Sequence, residues 1–199
     1  ADKAFEAAQA RADAIAADGQ VAVPYAIDVT DAGAVIECAS WIVDELGRVD
    51  VLLNSAGSAY RCPIDEFPED ALDLILDINL KGTFLTVKYA VPYLKKQGGA
   101  VVVVSSVNGT RMFSNTGATA YACSKAAQVA FTKMVALELA PHKIRVNCIC
   151  PGWITSEIGE NTEQRNTDKI RYPREFPKGT IAHVRMTIKP GGYNDPDQV

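Results

Sequence analysis

The order of apolar and polar positions predicts helices and strands that alternate along the chain. Some segments repeat apolar residues at helical spacing, whereas the continuous run at 100–104, with four valines, is typical of a parallel strand covered on both faces. Strands separated by helices form βαβ units with right-handed crossovers, so we expect an α/β fold with a doubly wound parallel sheet. In chain order, the pattern predicts helix 3–17, strand 21–27, a helix capped at Thr30-Asp31 and stopped at Gly47, strand 49–53, helix 69–94, strand 100–104, helix 120–139 and strand 144–150.

The length of 199 residues suits one domain with a substantial core. The longest stretch of weak periodicity covers 155–195. The chain opens inside a predicted helix without Met, and it closes on Asp195-Pro196, a pair typical of a helix start. We therefore expect both ends to be cuts within a longer protein.

Charge and composition exclude several classes of protein. The apolar share of 48% and the charged share of 22% are ordinary for a soluble globular protein. A net charge of -4, without a run of Lys or Arg, disfavours binding to nucleic acid or to an anionic membrane. No apolar stretch approaches the roughly 18 residues that a membrane helix needs, and the charged first residues do not form a signal peptide.

The five cysteines do not form a recognisable framework. They stand at irregular spacing, which argues against disulfides and favours a reducing, cytosolic setting. Cys148 and Cys150 have no second pair of ligands nearby, so we interpret them as small buried apolar residues and expect no metal site.

Polar or glycine-containing motifs follow four of the predicted strands. Asp28 ends the first strand, Asn54-Ser55-Ala56-Gly57 follows the second, Ser105-Ser106 the third and Pro151-Gly152 the fourth. Ligands of open parallel sheets bind in the crevice beyond the carboxyl ends of the strands. The sequence therefore predicts a ligand site at this edge.

Tyr121 and Lys125 are the sharpest chemical feature of the chain. Their four-residue spacing puts both on one face of the predicted helix, where the ammonium is expected to lower the pKa of the phenol. Such a phenol can exchange a proton with a carbonyl or alkoxide oxygen. The pair alone is a weak signal, because Tyr-x-x-x-Lys also occurs as an exposed pair in many helices.

The order of the motifs resembles that of the short-chain dehydrogenase/reductase family over nearly the whole chain. Ser55 stands where the family has a second Asn, and the step from Ser106 to Tyr121 is about two residues longer than usual. The matching segments are Asp28-Val29, Asp50-Val51-Leu52-Leu53-Asn54-Ser55-Ala56-Gly57, Asn79 within Ile78-Asn79-Leu80-Lys81-Gly82, Ser105-Ser106, Tyr121 with Lys125, and Arg145-Val146-Asn147 with Pro151-Gly152.

The resemblance implies a catalytic set of four residues. Tyr121 would be the general acid or base, and Lys125 would lower its pKa and bind the nicotinamide ribose. Ser106 would orient the substrate oxygen, with Ser105 as the alternative, and Asn79 would hold a proton-relay water. Taken without the neighbouring motifs, Asn79 would instead be interpreted as a solvated position of a helix. His142, just past a predicted helix end, is interpreted as a residue that complements the helix dipole.

The resemblance also implies that 1–199 is a single NAD(P)-binding, Rossmann-like domain, incomplete because the first βαβ unit with its Gly-rich turn and the last strand are missing. NAD and NADP both remain open as the cofactor. Three parts of the dinucleotide would meet different residues: the adenine would meet Asp28 and Val29, the backbone of Asn54, Ala56 and Gly57 would line the site, and the nicotinamide would face Tyr121, Lys125, Pro151, Gly152, Ile154 and Ser156.

The implied activity is reversible hydride transfer between the cofactor and a small-molecule alcohol or carbonyl. Residues 153–195 would form a substrate lid, and helices 69–94 and 120–139 would pack against a second copy in a dimer or tetramer. The substrate stays open among acyl-carrier β-ketoacyl groups, sugars and small alcohols. The alternative is a truncated or regulatory cofactor-binding module without turnover.

Overall fold

The structure, a computed structural model, describes residues 1–110, 117–152 and 162–167. Its strands are β1 (Val51–Asn54), β2 (Ala59–Arg61), β3 (Gly99–Val104), β4 (Ile144–Ile149) and β5 (Thr162–Gln164). Its α-helices are α1 (Phe5–Ala17), α2 (Ala32–Leu46), α3 (Glu69–Leu76), α4 (Gly82–Leu94) and α5 (Thr119–Leu139). Short 3₁₀ turns cover Ile64–Glu66, Val107–Gly109 and Ala140–His142.

The central sheet is parallel, in the order β1-β3-β4. Val51 pairs with Ala100, and Gly99 pairs with Ile144, so β3 lies in the middle with a partner on each side. The strands are rich in Val and Ile, whose branched side chains suit a pleated surface packed against helices. The predicted βαβ arrangement of these three strands is confirmed.

One face of this sheet carries the core. Val101 and Val103 are fully buried, and they join side chains of α4, α5 and β4 in one cluster that includes Val87, Leu94, Leu139 and Val146. The expectation that β3 is covered on both faces is met in part within the described residues, because on its second face Ala100 is buried and Val102 and Val104 are half-buried. On the opposite face Leu53 is 61% exposed and Ile149 is 48% exposed, since both α4 and α5 pack on the first face.

The expected strand at 21–27 is also wrong. Its backbone forms a single parallel bridge, in which the amide of Asp2 donates to the Tyr25 carbonyl (3.0 Å) and the Ile27 amide donates to the Asp2 carbonyl (2.9 Å). Val21 is 87% exposed. A strand is stabilised by a ladder of such bonds along a neighbour, and among the described residues this segment forms its bridge with Asp2 alone.

The predicted helix ends agree closely with the structure. Asp31 caps α2, where its carboxylate accepts hydrogen bonds from the amides of Gly33 (2.8 Å) and Ala34 (3.3 Å). Gly47 ends the same helix with a φ of 81°, in the left-handed region that glycine adopts without strain. No helix in the described ranges is long and apolar enough to span a lipid bilayer.

The helix predicted over 69–94 has the expected ends and an unexpected interruption. Between α3 and α4, a π turn over Asp77–Lys81 contains Asn79, and the Gly82 amide bonds five residues back to the Asp77 carbonyl. Such a turn fits one extra residue into the helix, and turns of this kind are frequent at functional sites.

A second, two-stranded sheet joins β2 to β5 in parallel, with Ala59 opposite Thr162. The Arg165 amide extends the ladder by donating to the Arg61 carbonyl (2.8 Å). These three-residue strands were not predicted from the sequence. They fix part of the segment expected to form a lid against the loop that follows β1.

Candidate active site

The carboxyl ends of the strands meet as expected. The Ser105 amide donates to the Ile149 carbonyl (2.9 Å), and the Val107 amide donates to the Pro151 carbonyl (2.9 Å). These bonds bring Ser105-Ser106 and Pro151-Gly152 side by side. Of the other residues expected to face the nicotinamide, Ile154 and Ser156 lie outside the described residues.

Tyr121 stands at the start of α5, half-buried, with its hydroxyl near the side chain of Ser106. Burial raises the pKa of the Tyr121 phenol above its usual value of 10.0, and the nearby Ser106 hydroxyl opposes that shift. The net shift is upward, and the effect of Lys125 on this pKa stays a prediction. Removal of the phenol from water has the larger effect, and Tyr121 carries its proton at neutral pH.

Lys125 is 3% exposed. Its Nζ donates to the Val104 carbonyl (2.9 Å) and lies 5.6 Å from the centre of the Tyr121 ring, which confirms that the two side chains share a helix face. Burial lowers the pKa of Lys125 from 10.5 to about 8, against the effect of the neighbouring Cys148 and Cys150 thiols. The amine can thus gain or lose a proton near neutral pH.

The two serines after β3 differ in their contacts. Ser105 donates its hydroxyl to the Lys125 backbone carbonyl (2.7 Å), which ties β3 to α5. Ser106 accepts a bond from the Asn108 amide (3.2 Å) and contacts the Tyr121 hydroxyl. Ser105 is thus held by the backbone of the helix, whereas Ser106 reaches the phenol.

Asn79 is fully buried in the π turn, so its interpretation as a solvated helix position is wrong. Its Oδ1 accepts from the Ser58 amide (2.8 Å), and its Nδ2 donates to the Ser58 carbonyl (2.9 Å) and to the Ser124 hydroxyl (2.9 Å). One side chain therefore links the loop after β1 to the helix that carries Tyr121 and Lys125.

Sequence reasoning missed the polar side chains that complete this buried network. They are Thr83, Thr86, Ser124 and Gln128. Ser124 donates to the Tyr121 carbonyl (2.8 Å), and Gln128 bonds both the Asn79 carbonyl (2.7 Å) and Thr83 Oγ1 (2.8 Å). Their signal was present, because Ser124, Gln128 and Thr132 recur every four residues along an otherwise apolar side of α5.

Two glycines allow the backbone to approach Lys125. A Cβ at Gly57 would lie 3.3 Å from Lys125 Nζ and 3.4 Å from Asn79 Oδ1. A Cβ at Gly109 would lie 2.6 Å from the Lys125 carbonyl oxygen, which is closer than such atoms pack. Glycine at both positions allows the 54–58 loop and the 107–109 turn to pack closely against α5.

The side chains of Asp28 and Asn54 are engaged within the protein. Asp28 accepts from Lys3 Nζ (2.7 Å) and from the amide and hydroxyl of Thr30, and these bonds lower the pKa of its carboxyl to about 2. Val29 packs against Gly82. Asn54 donates to Thr86 Oγ1 (2.6 Å), and its Oδ1 lies 3.2 Å from Thr83 Oγ1, so both ends of its side-chain amide are engaged within the protein.

The other chemically suggestive features lie elsewhere or form no site. An open cavity of about 300 Å³ at the amino ends of β1 and β3 is lined by Arg48, Asp50 and Lys143, but Arg48 is already paired with Asp50 (2.6 Å). Within the described ranges, no three His, Cys, Asp or Glu side chains cluster as metal ligands. All five cysteines are free.

Comparisons with known proteins agree on one family. The short chain dehydrogenase family model matches residues 1–167. The chain is 39% identical to the 3-oxoacyl-[acyl-carrier-protein] reductase FabG of Thermotoga maritima, over 75% of this chain and 61% of that protein. It is 30% identical to the D-beta-hydroxybutyrate dehydrogenase of Cupriavidus necator, over 98% of this chain and 74% of that protein.

Solved structures show the same fold. A 3-ketoacyl-ACP reductase from Sinorhizobium meliloti superposes with a TM-score of 0.80 at 40% identity, over 89% of this chain and 70% of that one. NAD+-bound xylitol dehydrogenase gives 0.74 at 32% identity, over 78% and 60% of the two chains. ElxO with NADP bound gives 0.64 at 32% identity, over 68% and 55%.

These matches confirm the Rossmann-like α/β fold with its parallel sheet. The matched part amounts to about 60% of the length of the curated relatives, being 61% of the Thermotoga reductase and 60% of the oxidoreductase YxjF of Bacillus subtilis. The chain belongs to the short chain dehydrogenase family of oxidoreductases.

Proposed function

We propose that the protein containing this chain transfers a hydride reversibly between NAD or NADP and an alcohol or carbonyl substrate. The observation that carries the proposal is the cluster of Ser106, Tyr121 and Lys125 at the carboxyl edge of the sheet. The relatives that share this family are named as reductases and dehydrogenases of carbonyl and alcohol compounds.

In the proposed reduction, Tyr121 donates its proton to the substrate oxygen. Burial raises its pKa, so the phenol carries the proton to be donated at neutral pH. The Ser106 hydroxyl, which lies near the phenol, orients the same oxygen. In the reverse direction Tyr121 accepts the proton, and a charged Lys125 5.6 Å from its ring stabilises the phenolate that forms.

The residues at this edge fit a nicotinamide cofactor. Gly57 is exposed beside Lys125 Nζ, and no atom of the described residues lies within 4 Å of a Cβ placed at Gly152, so the described backbone leaves room for a flat ring and a ribose. When bound, the nicotinamide would supply or accept the hydride. Lys125 would bind its ribose, and the backbone of Asn54, Ala56 and Gly57, with Pro151 and Gly152, would line it.

The adenine end of the site is proposed at Asp28 and Val29. Asp28 stays ionised above a pH of about 2 and already holds Lys3 and Thr30, so it offers a fixed acceptor beside the loop. Solved relatives carry NAD+ in one structure and NADP in another, so we propose the nicotinamide dinucleotides as a class.

We further propose that 1–199 is part of one cofactor-binding domain in which 153–195 covers the substrate. The described piece of that segment, β5, pairs with β2 next to the 54–58 loop. We also propose a homo-oligomer formed through α4 and α5. Phe84 is 53% exposed, Met134 59% and Leu137 72%, a set of apolar side chains that a second copy would cover.

Transfer of deuterium from the reduced cofactor to the substrate tests the function. The protein is incubated with reduced NAD or NADP carrying deuterium at the reactive carbon, together with a panel of β-ketoacyl thioesters, sugar ketones and small ketones. We expect deuterium at the former carbonyl carbon of at least one product. Binding of either cofactor without any label transfer would instead establish a binding module without turnover, and would contradict the proposal.

A further inference from the structure

The carbonyl of Asn79 has an unusual set of partners. It lies inside the π turn, where the helical bonds skip a residue, and it accepts two bonds from side chains, one from Thr83 Oγ1 (2.7 Å) and one from Gln128 Nε2 (2.7 Å). A backbone carbonyl accepts two hydrogen bonds. Two side chains therefore hold the carbonyl of the residue that fixes the loop after β1.

Gln128 is fully buried, and its two side-chain polar atoms differ in their hydrogen bonds. Both amide hydrogens are used, on the Asn79 carbonyl and on Thr83 Oγ1 (2.8 Å). Its Oε1 is buried without a partner. An unpaired buried oxygen is unfavourable, and an apolar side chain of the same size would avoid it. The two bonds from Nε2 are thus the feature that distinguishes glutamine from such a residue at this position.

The orientation of the amide follows from its surroundings. Exchange of its oxygen and nitrogen would set Oε1 against the Asn79 carbonyl oxygen, two acceptors without a hydrogen between them. Gln128 therefore fixes the position of the Asn79 backbone in one arrangement. Gln128 belongs to α5, three residues beyond Lys125. The π turn is therefore held in place relative to the helix that carries Tyr121 and Lys125.

The position of the π turn affects the edge of the site through Asn79. Its side chain clamps the amide and the carbonyl of Ser58, and Gly57 next to it lies against Lys125 Nζ. A shift of the π turn would move Asn79, and with it the 54–58 loop. Asn79 reaches Tyr121 only at its backbone carbonyl, through the Ser124 hydroxyl, and not at the phenol.

We propose that Gln128 is a positioning residue that holds the π turn, so that Asn79 keeps the 54–58 loop in place to bind the cofactor beside Lys125. This inference rests on the proposed function for its kinetic readout. It assigns Gln128 to cofactor binding and not to proton transfer, which separates its expected effect from that of Tyr121.

The test compares Gln128→Met with Thr132→Val in the protein containing this chain. Met keeps the volume and removes both donors. Thr132 is the matched control, because it is buried one turn further along α5 and its hydroxyl bonds only the backbone carbonyl of Gln128 (2.8 Å). We expect Gln128→Met to raise the KM for NAD or NADP about tenfold, the size of one lost hydrogen bond, with kcat within about twofold. Thr132→Val should leave the KM unchanged.

A purely structural role would give a different result. Loss of folded enzyme lowers the apparent kcat and leaves the KM as it was, so an unchanged KM in Gln128→Met would overturn the proposal. If that variant does not fold, Thr83→Val takes its place, since it removes one partner of the Gln128 amide and of the Asn79 carbonyl. We then expect a smaller rise in the same KM, and no rise would again overturn the proposal.

Hydrogen exchange keeps the inference separable from the proposed function. The Ser58 amide, which bonds Asn79 Oδ1, should exchange faster in Gln128→Met than in Thr132→Val, with or without turnover in the wild type. An unchanged exchange rate at Ser58 would overturn the role of Gln128. Faster exchange in a protein that shows no label transfer would retain that role and reject the hydride-transfer function.

Discussion

Two pairs of tyrosine and lysine in this molecule look alike and differ in almost every physical respect. Lys96 Nζ lies 5.4 Å from the centre of the Tyr93 ring, and Lys125 Nζ lies 5.6 Å from that of Tyr121. Lys96 is exposed beyond the end of α4, whereas Lys125 is buried and bonded to the Val104 carbonyl. A surface contact and a candidate site therefore have nearly the same distance between the ammonium and the ring centre.

The difference lies in burial and neighbours. Removal from water raises the pKa of Tyr121 and lowers that of Lys125, so burial perturbs both groups and brings the pKa of Lys125 closer to neutral pH. Tyr121 also contacts Ser106, and Ser124 holds its backbone carbonyl. The pair in α5 differs from the surface pair because it is buried beside the strand ends and their polar side chains.

The largest expected effect that sharpens this comparison comes from removal of the two lysines. Lys125→Met should lower kcat/KM by about a hundredfold or more, because it removes both the proposed ribose ligand and the charge beside the phenolate. Lys96→Met should stay within about twofold of the wild type, as expected for an exposed side chain. Steady-state kinetics with the labelled cofactor measure both, and equal losses would erase the distinction between the pairs.

The second prediction concerns the serines that set the pairs apart. Ser106→Ala should lower kcat about a hundredfold, since it removes the hydroxyl that contacts Tyr121. Ser105→Ala should lower the free energy of unfolding by about 1 kcal/mol through loss of its bond to the Lys125 carbonyl, with a smaller effect on kcat. Chemical denaturation and kinetics on both variants check this. The reverse pattern would make Ser105 the catalytic serine.

A third prediction follows from the pKa of Lys125. Its folded value of about 8 lies below the ordinary 10.5, so the unfolded chain binds more protons between these two values. The free energy of unfolding of the wild type, relative to Lys125→Met, should therefore rise as the pH increases from about 8 to 10.5. Urea unfolding at several pH values measures this difference. A flat difference would show that Lys125 is not desolvated in the folded protein.

The smallest expected effect comes from an exposed ion pair. The pKa of Asp28 is lowered from 3.8 to about 2, so its contribution to stability is present above 3.8 and is lost as the pH falls towards 2. Lys3→Met should cost less than about 1 kcal/mol at neutral pH, because Lys3 is largely exposed. Urea unfolding at neutral pH measures this cost, and a loss of several kcal/mol would contradict the contrast between exposed and buried pairs.

The sequence was sufficient for the parts of the fold with long periodic signals. The helices around Ala12, Val35 and Leu139 and the valine run of β3 were predicted to within a few residues. The motif order also brought Asn79, Ser106, Tyr121 and Lys125 to one region, although their roles remain predictions. Local pattern is reliable here because burial on one face imposes the same period on every residue of an element.

The remainder depended on tertiary structure. The π turn at Asn79 follows from bonds to Ser58 and Gln128, which lie far from it along the chain. The segment 21–27 has strand-forming residues, but among the described residues its backbone forms a bridge only with Asp2, and a strand needs a longer partner. The direction of the Tyr121 pKa shift depends on the depth of burial, which the spacing to Lys125 does not show.

The most direct test of the central claim replaces one hydroxyl in each pair. Tyr121→Phe removes the proposed proton donor and keeps the ring, and Tyr93→Phe makes the same change in the exposed pair. The account predicts that kcat falls by about a hundredfold to ten-thousandfold in Tyr121→Phe and stays within about twofold in Tyr93→Phe. Equal activity of Tyr121→Phe and the wild type would contradict it.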